Sequence, residues 1–262
     1  MLLPRIIPCL LVRNKGLVKT VQFKDAKYLG DPINAVRIFN EKEVDELMVL
    51  DIDAASNSAA PDFKMIENLA AECRMPFCYG GGIKTAGQAR KIISLGVEKV
   101  ALSSAAVENP ALVSEIAGEV GSQSVVAVID VKKKMPGGNY EVRTHNGKKS
   151  AGKCPLDFAR QLESLGVGEI VVNSIDHDGT MNGYDLKLID KIRQLITVPM
   201  TVLGGAGSLD DIGTLIRKYG IIGAAAGSLF VFKGIYRAVL INYPNSAEKD
   251  ALLEKYYNLS QH

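Results

Sequence analysis

A chain of 262 residues with 47% apolar content can bury a large core, and α/β barrels of this length form one domain, so residues 1–262 are read as a single unit. A net charge of +2 points neither to nucleic acid nor to an acidic partner. Cys9, Cys73, Cys78 and Cys154 lack a C-x-x-C pair and read as reduced thiols, while His145, His177 and His262 lack metal-ligand spacing, so no metal or other cofactor is expected.

The opening Met1–Val12 is apolar but interrupted by Pro4, Arg5 and Pro8, without the lead-in or cleavage site of a signal peptide. Its apolar part, Arg5–Leu11, is the first candidate strand. Glu46–Leu50, Pro76–Tyr79, Lys99–Leu102, Val125–Ile129, Glu169–Asn173, Met200–Leu203 and Gly223–Ala226 follow at intervals filled by amphipathic stretches. Phe63, Ile66 and Leu69 keep helical spacing before the third strand, and Leu186, Ile189, Ile192 and Ile196 do so before the seventh. The connections Arg13–Tyr28 and Lys132–Gly152, after the first and fifth strands, are longer than the rest. The second contains Gly137-Gly138, Tyr-Glu-Val-Arg-Thr and His-Asn-Gly, the pattern of a hairpin, and is read as a lid. The longest late apolar run, Ile221–Phe232, is too short to cross a membrane, and a cytoplasmic protein is expected.

The chain repeats itself. Pro76–Thr85 and Pro199–Ser208 each run from an apolar strand into a glycine cluster and a helix start. Leu50-Asp51-Ile52-Asp53 is echoed by Ser174–Asp178, and Ala101–Ala105 by Ala225–Leu229, all at nearly one offset. Eight strand–helix units in two similar halves predict a (β/α)8 barrel rather than an open doubly wound sheet. Residues just past the strand ends then line the active face. Glycines leave backbone N–H groups uncovered, and a helix N-terminus suits an anion. Gly82 with Ser104 in one half, and Gly205 with Gly227 and Ser228 in the other, therefore predict two phosphate sites for a substrate phosphorylated at both ends. Asp130, leaving a fully apolar strand, is the candidate general acid or base. Asp51, Asp176 and Asp178 either bind substrate hydroxyls or order loops.

The stretches Arg5-Ile-Ile-Pro-Cys-Leu, Leu47–Ala54, Tyr79-Gly-Gly-Gly-Ile, Ser174–Tyr184 and Leu203–Leu209 resemble the cyclase subunit of imidazole glycerol phosphate synthase, across nearly the whole chain. The resemblance implies a barrel paired with a glutaminase as a heterodimer. Ammonia from glutamine would pass through the barrel to a bis-phosphorylated ribulosyl-formimino nucleotide, in histidine synthesis. By that match Asp130 is the catalytic aspartate of the fifth strand and Lys19 the lysine of the first loop. Gly82 and Ser104 form one phosphate site, and Asp178, Gly179, Gly205, Gly227 and Ser228 the other. Arg5, Glu46, Lys99 and Glu169 match the charged ring through which ammonia enters, and pairing among the four is expected.

One departure stands out. The family has a second catalytic aspartate at the end of the first strand, where this chain reads Pro8-Cys9-Leu10-Leu11-Val12. Leu11 carries no proton, and losing one general acid–base typically costs about 10²–10⁴-fold in rate. Cys-Leu-Leu-Val and the run Gly30–Glu46 resemble a divergent branch that keeps the glutaminase and passes ammonia to an amidotransferase making acetamidino sugars for bacterial surface polysaccharides. That reading is preferred to an ordinary cyclase. The sister isomerase of the histidine pathway fits the Arg5-Ile-Ile-Pro-Cys start poorly, and a binding scaffold without chemistry is the remaining alternative.

Overall fold

The computed structural model describes residues 3–54, 57, 59–134 and 137–257, so His262 lies outside the described residues. Eight strands begin within one residue of the expected positions: β1 (Arg5–Arg13), β2 (Leu47–Asp51), β3 (Phe77–Gly80), β4 (Lys99–Leu102), β5 (Val125–Lys133), β6 (Glu169–Ser174), β7 (Met200–Leu203) and β8 (Gly223–Ala226). Each pairs in parallel with the next. The ring closes where Arg5 of β1 pairs with Gly223 of β8. The result is the (β/α)8 barrel that the repeated halves predict.

A closed parallel sheet is buried on both faces, so its strands are apolar throughout and their side chains divide with a period of two. Ile7, Cys9, Met48, Cys78, Ala101, Val126, Val128, Val171, Leu203 and Ala225 point inward and fill the axis. Their sequence neighbours, including Ile6, Leu10, Val49, Tyr79, Ile129 and Val172, point outward and pack against the helices. Both expected helical stripes turn to this layer: Ile66 and Leu69, and Ile189 and Ile192, are buried. The helices start at built caps. Asp31, Asp62, Thr85 and Asp185 each accept a backbone N–H from the first turn of the helix that follows. At Ser208 the cap is reciprocal with Asp211.

The two long connections are antiparallel ribbons that carry β1 and β5 above the barrel. Past β1, Gly16–Val21 pairs back on Leu11–Arg13, and Lys24–Gly30 pairs on Gly16–Val21. Both turns have two left-handed residues, Asn14-Lys15 (φ 48° and 63°) and Gln22-Phe23 (φ 51° and 62°), the twist-matched turn of tight hairpins. Past β5, Tyr140–Thr144 pairs with Asp130–Lys133, and Lys149–Ser150 pairs on in turn. The hairpin expected in Lys132–Gly152 is present, although residues 135 and 136 lie outside the described residues. Arg13–Tyr28, read only as a long connection, is ordered to the same degree.

Ser208→Ala removes one side of the capping box on the Leu209–Tyr219 helix and should lower unfolding stability by about 1 kcal/mol. Urea denaturation measures this, and an unchanged midpoint would show that water replaces the cap.

Candidate functional site

The upper ends of the strands enclose a cavity of about 260 Å³ lined by Leu11, Lys19, Asp51, Gly82, Ser104, Asp130, Asp178 and Gly227, among others. Eight of the sequence candidates thus share one space. Asp130 sits where β5 leaves the core. Its Oδ2 accepts from Ser103 Oγ at 2.8 Å and its Oδ1 from Asn173 Nδ2 at 2.9 Å. Burial pushes its pKa up to about 6, opposed by those two donors and reinforced by the Asp178 charge. A carboxyl group so held can exchange a proton near neutral pH. Leu11, at the end of β1, lines the same cavity and packs with Leu50 onto the apolar axis.

Lys19 is buried and donates to Asp178 Oδ1 at 2.9 Å and to the Thr20 carbonyl at 2.8 Å, while Thr20 Oγ1 donates to Asp178 Oδ2 at 3.2 Å. The Gln22 amide donates to the Asp178 carbonyl at 2.9 Å, and Gln22 Nε2 to the Asp176 carbonyl at 2.9 Å. The first ribbon is thereby fastened over the loop after β6. Asp176 lines neither cavity; its Oδ2 accepts the Lys133 amide at 2.7 Å. Asp51 Oδ1 accepts the amides of Asp53 and Ala54, both at 3.1 Å, and burial raises its pKa against those bonds. Through these contacts the aspartates hold loops and the first ribbon in place.

The two places where phosphate sites are expected differ. Gly82 (φ 73°) turns beneath the main cavity, where a side chain would crowd the Ala59 carbonyl. Ser104 Oγ there accepts the His145 amide at 3.1 Å, so the second ribbon reaches over it. Gly179, Gly205 and Ser228 line a separate recess of about 10 Å³, together with Lys19, Asp178 and Gly227. Gly205 (φ 119°) lies against the Gly183 carbonyl, leaving no room for a Cβ. Ser228 Oγ is buried there without a partner among the described residues, so an anion oxygen would satisfy it. The recess holds about one water. A phosphate is larger than that space.

At the opposite end of the axis four charges close a ring. Arg5 bridges Glu46 and Glu169 (Nη2 to Glu169 Oε1, 2.7 Å), and Lys99 Nζ bridges the same two carboxylates at 2.9 Å each. Thr201 Oγ1 donates to Glu169 Oε1 at 2.5 Å. For Arg5, Lys99 and Glu169 burial works against the charge, yet the opposite neighbours prevail. Arg5 and Lys99 are raised and Glu169 is held below the ordinary carboxylate range. The pairing expected for Arg5, Glu46, Lys99 and Glu169 is complete.

Asn173, Arg13 and Thr201 escaped the sequence reading as site residues, whereas Ser103 lies just past a strand end, where the active face is expected. Ser103 and Asn173 end strands, a signal shared with Asp130. Arg13 lines the cavity and its Nε lies 2.9 Å from Asp53 Oδ2. Thr201 is buried in mid-barrel sequence and carries no such signal.

Known proteins give this geometry a context. The family described as histidine biosynthesis protein matches residues 5–236. The chain is 59% identical over 252 residues to a provisionally named imidazole glycerol phosphate synthase subunit HisF of Leptospira borgpetersenii, covering 96% of this chain and 99% of the relative. It is 56% identical over 254 residues to a provisionally named subunit hisF3 of Vibrio vulnificus, covering 97% and 98%. It is 38% identical to the imidazole glycerol phosphate synthase subunit HisF of Natranaerobius thermophilus, covering 93% and 96%.

Because the folded pKa of Asp130 lies above its unfolded value, the neutral carboxyl contributes stability that is present at low pH and lost as pH rises toward 6. A 13C NMR titration of its side chain should show a midpoint near 6. Ser103→Ala removes a donor to the charged form and should move the midpoint higher. A midpoint at the ordinary aspartate value in the parent protein would show the carboxyl to be hydrated.

Proposed function

The chain belongs to the histidine biosynthesis protein family as a HisF-type subunit of imidazole glycerol phosphate synthase, and from that premise we propose that it partners a glutaminase and conducts ammonia to a sugar amidotransferase. Ammonia would enter through the ring of Arg5, Glu46, Lys99 and Glu169 and leave at the Asp130 mouth, where the amidotransferase forms acetamidino sugars. The observation that carries this reading is Leu11. It occupies the end of β1 in the cavity of Asp130, so a leucine stands at the strand end where the cyclase reaction uses its second catalytic aspartate. The ring at the other end keeps all four charges and pairs them completely.

The barrel interior suits that task. From the ring upward its side chains are apolar, through Ile7, Met48, Val126 and Val171 to Leu203, Leu50 and Leu11. Neutral ammonia crosses such a column at little cost, whereas ammonium would lose its hydration without gaining a partner. The ring must open for passage, and a docked glutaminase can supply counter-charges for the exchange. The separation among relatives supports the divergent branch: those at 52–59% identity carry provisional names, and those named plainly as HisF subunits share 38–39%.

The second reading is a cyclase of histidine biosynthesis. It is favoured by Asp130 poised near neutrality and by the Lys19–Asp178 pair beside two anion cradles. In either reading Gly82 and Ser104 hold one phosphate of a ligand, and Gly179, Gly205, Gly227 and Ser228 hold the other once the recess opens.

The protein with saturating ammonium should form imidazole glycerol phosphate at least about 100-fold more slowly than Leu11→Asp. With its glutaminase and the amidotransferase it should pass 15N from glutamine into an acetamidino sugar. Cyclase turnover equal to that of Leu11→Asp, with no labelled sugar, selects the histidine-pathway reading.

A further inference from the structure

We propose that the hairpin at residues 232–240 is the docking element for the ammonia-consuming enzyme, and that this enzyme offers it an apolar recess edged by carboxylates. The inference rests on the reading that ammonia leaves by the mouth. The hairpin follows β8 directly. Phe232 and Lys233 pair with Val239 and Ala238. Its base is tied down on three sides. Asn242 Nδ2 donates to the carbonyls of Leu240 (2.9 Å) and Phe232 (3.3 Å), Lys27 Nζ of the first ribbon stands 5.4 Å over the Phe232 ring, and Arg237 Nη2 donates to the Gly179 carbonyl at 3.2 Å. That last bond places the hairpin beside the recess of Gly179 and Gly205, on the rim of the mouth and away from the charged ring.

The tip between these anchors has side chains that folding does not use. The turn needs left-handed backbone at Gly234 (φ 73°) and Arg237 (φ 48°), and the Arg237 amide closes it on the Gly234 carbonyl at 3.1 Å. Ile235 and Tyr236 between them meet no such demand, and polar residues serve turns better. They are nevertheless 88% and 91% exposed, more than any other large apolar side chain among the described residues, and Val239 and Leu240 beside them are exposed too. A rigid hairpin presenting an aliphatic and an aromatic side chain has the composition of an interface anchor.

Charge selects the occupant. Residues 232–240 contain Lys233 and Arg237 and no acidic residue, and Lys27 adds a third cation at the base. In a chain with a net charge of only +2 this is a local excess, complementary to carboxylates around an apolar recess. A two-residue tip is too small to hold a bilayer, for which stable attachment takes a longer apolar face or chain. A protein seated here would cover the mouth from which ammonia emerges, before water protonates it.

The test is interferometry of the barrel–glutaminase complex against the acetamidino-sugar-forming amidotransferase, with the double variant Ile235→Ser, Tyr236→Ser as comparison. The parent complex should bind, more weakly as salt is added, and the variant should bind at least about 10-fold more weakly. Both should activate the glutaminase equally. Lys233→Glu should also weaken binding and reduce its salt dependence. Equal binding by the double variant, or no binding by the parent, overturns the proposal. So does sedimentation showing that the tip instead joins two copies of this chain. Tip-dependent binding without transfer of labelled nitrogen supports the docking surface and overturns the proposed function.

Discussion

Closure of the parallel sheet is the constraint from which both ends of the molecule follow. Once β1 pairs with β8, every strand is covered by neighbours on its edges, by helices outside and by other strands inside. Side chains in the middle of a strand then have one use, which is filling space. Only residues near the two ends of the barrel escape it. Arg5, Lys99 and Glu169 are first residues, and Asp130 and Asn173 lie where β5 and β6 leave the core. Polar chemistry collects at the two mouths because the barrel admits it nowhere else.

The two mouths solve the problem of buried charge in opposite ways. At the lower one, charges of alternating sign satisfy one another, and their shifts all favour the ionised forms of Arg5, Lys99 and Glu169. Arg5, Lys99 and Glu169 therefore hold their charges by pairing with opposite neighbours. At the upper mouth Asp130 has two neutral donors and, among the described residues, no cation bonded to it, and dehydration leaves its charge poised near neutral pH. Lys19, the nearest buried cation, is engaged by Asp178 instead.

Much of this was legible in the chain. Strand positions, the two halves and the glycine turns follow from apolar runs and spacing, because a doubly covered strand must be continuously apolar and a sharp turn needs glycine. The ribbon after β1 was not legible as a ribbon. Its turns use Asn14-Lys15 and Gln22-Phe23 in left-handed backbone, without the glycine that marks such turns in sequence. The near-closure of the recess at Gly205 and Ser228 was hidden as well, since it depends on where Lys19 comes to rest after the chain reverses at Asn14-Lys15. Ser103 and Asn173 were visible as strand-end polar residues, but their common partner is fixed by lateral pairing of β5 with its neighbours. Thr201 was invisible, since a buried threonine in a strand looks like any β-branched filler.

The repeated halves place β1 and β5 in equivalent positions, each prolonged by a ribbon, and their upper ends now hold Leu11 and Asp130. In a barrel built from a duplicated half, such a pair begins as two copies of one position and then has two separate histories. The copy at β1 is hydrophobic and continuous with the axial column; the copy at β5 retains an acid. Leu11 pairs with Leu50 and Asp130 with Asn173 in the same parallel register, so either residue is compatible with closure. A fold built this way can change the residue at one strand's upper end while the matching position in the other half stays as it is.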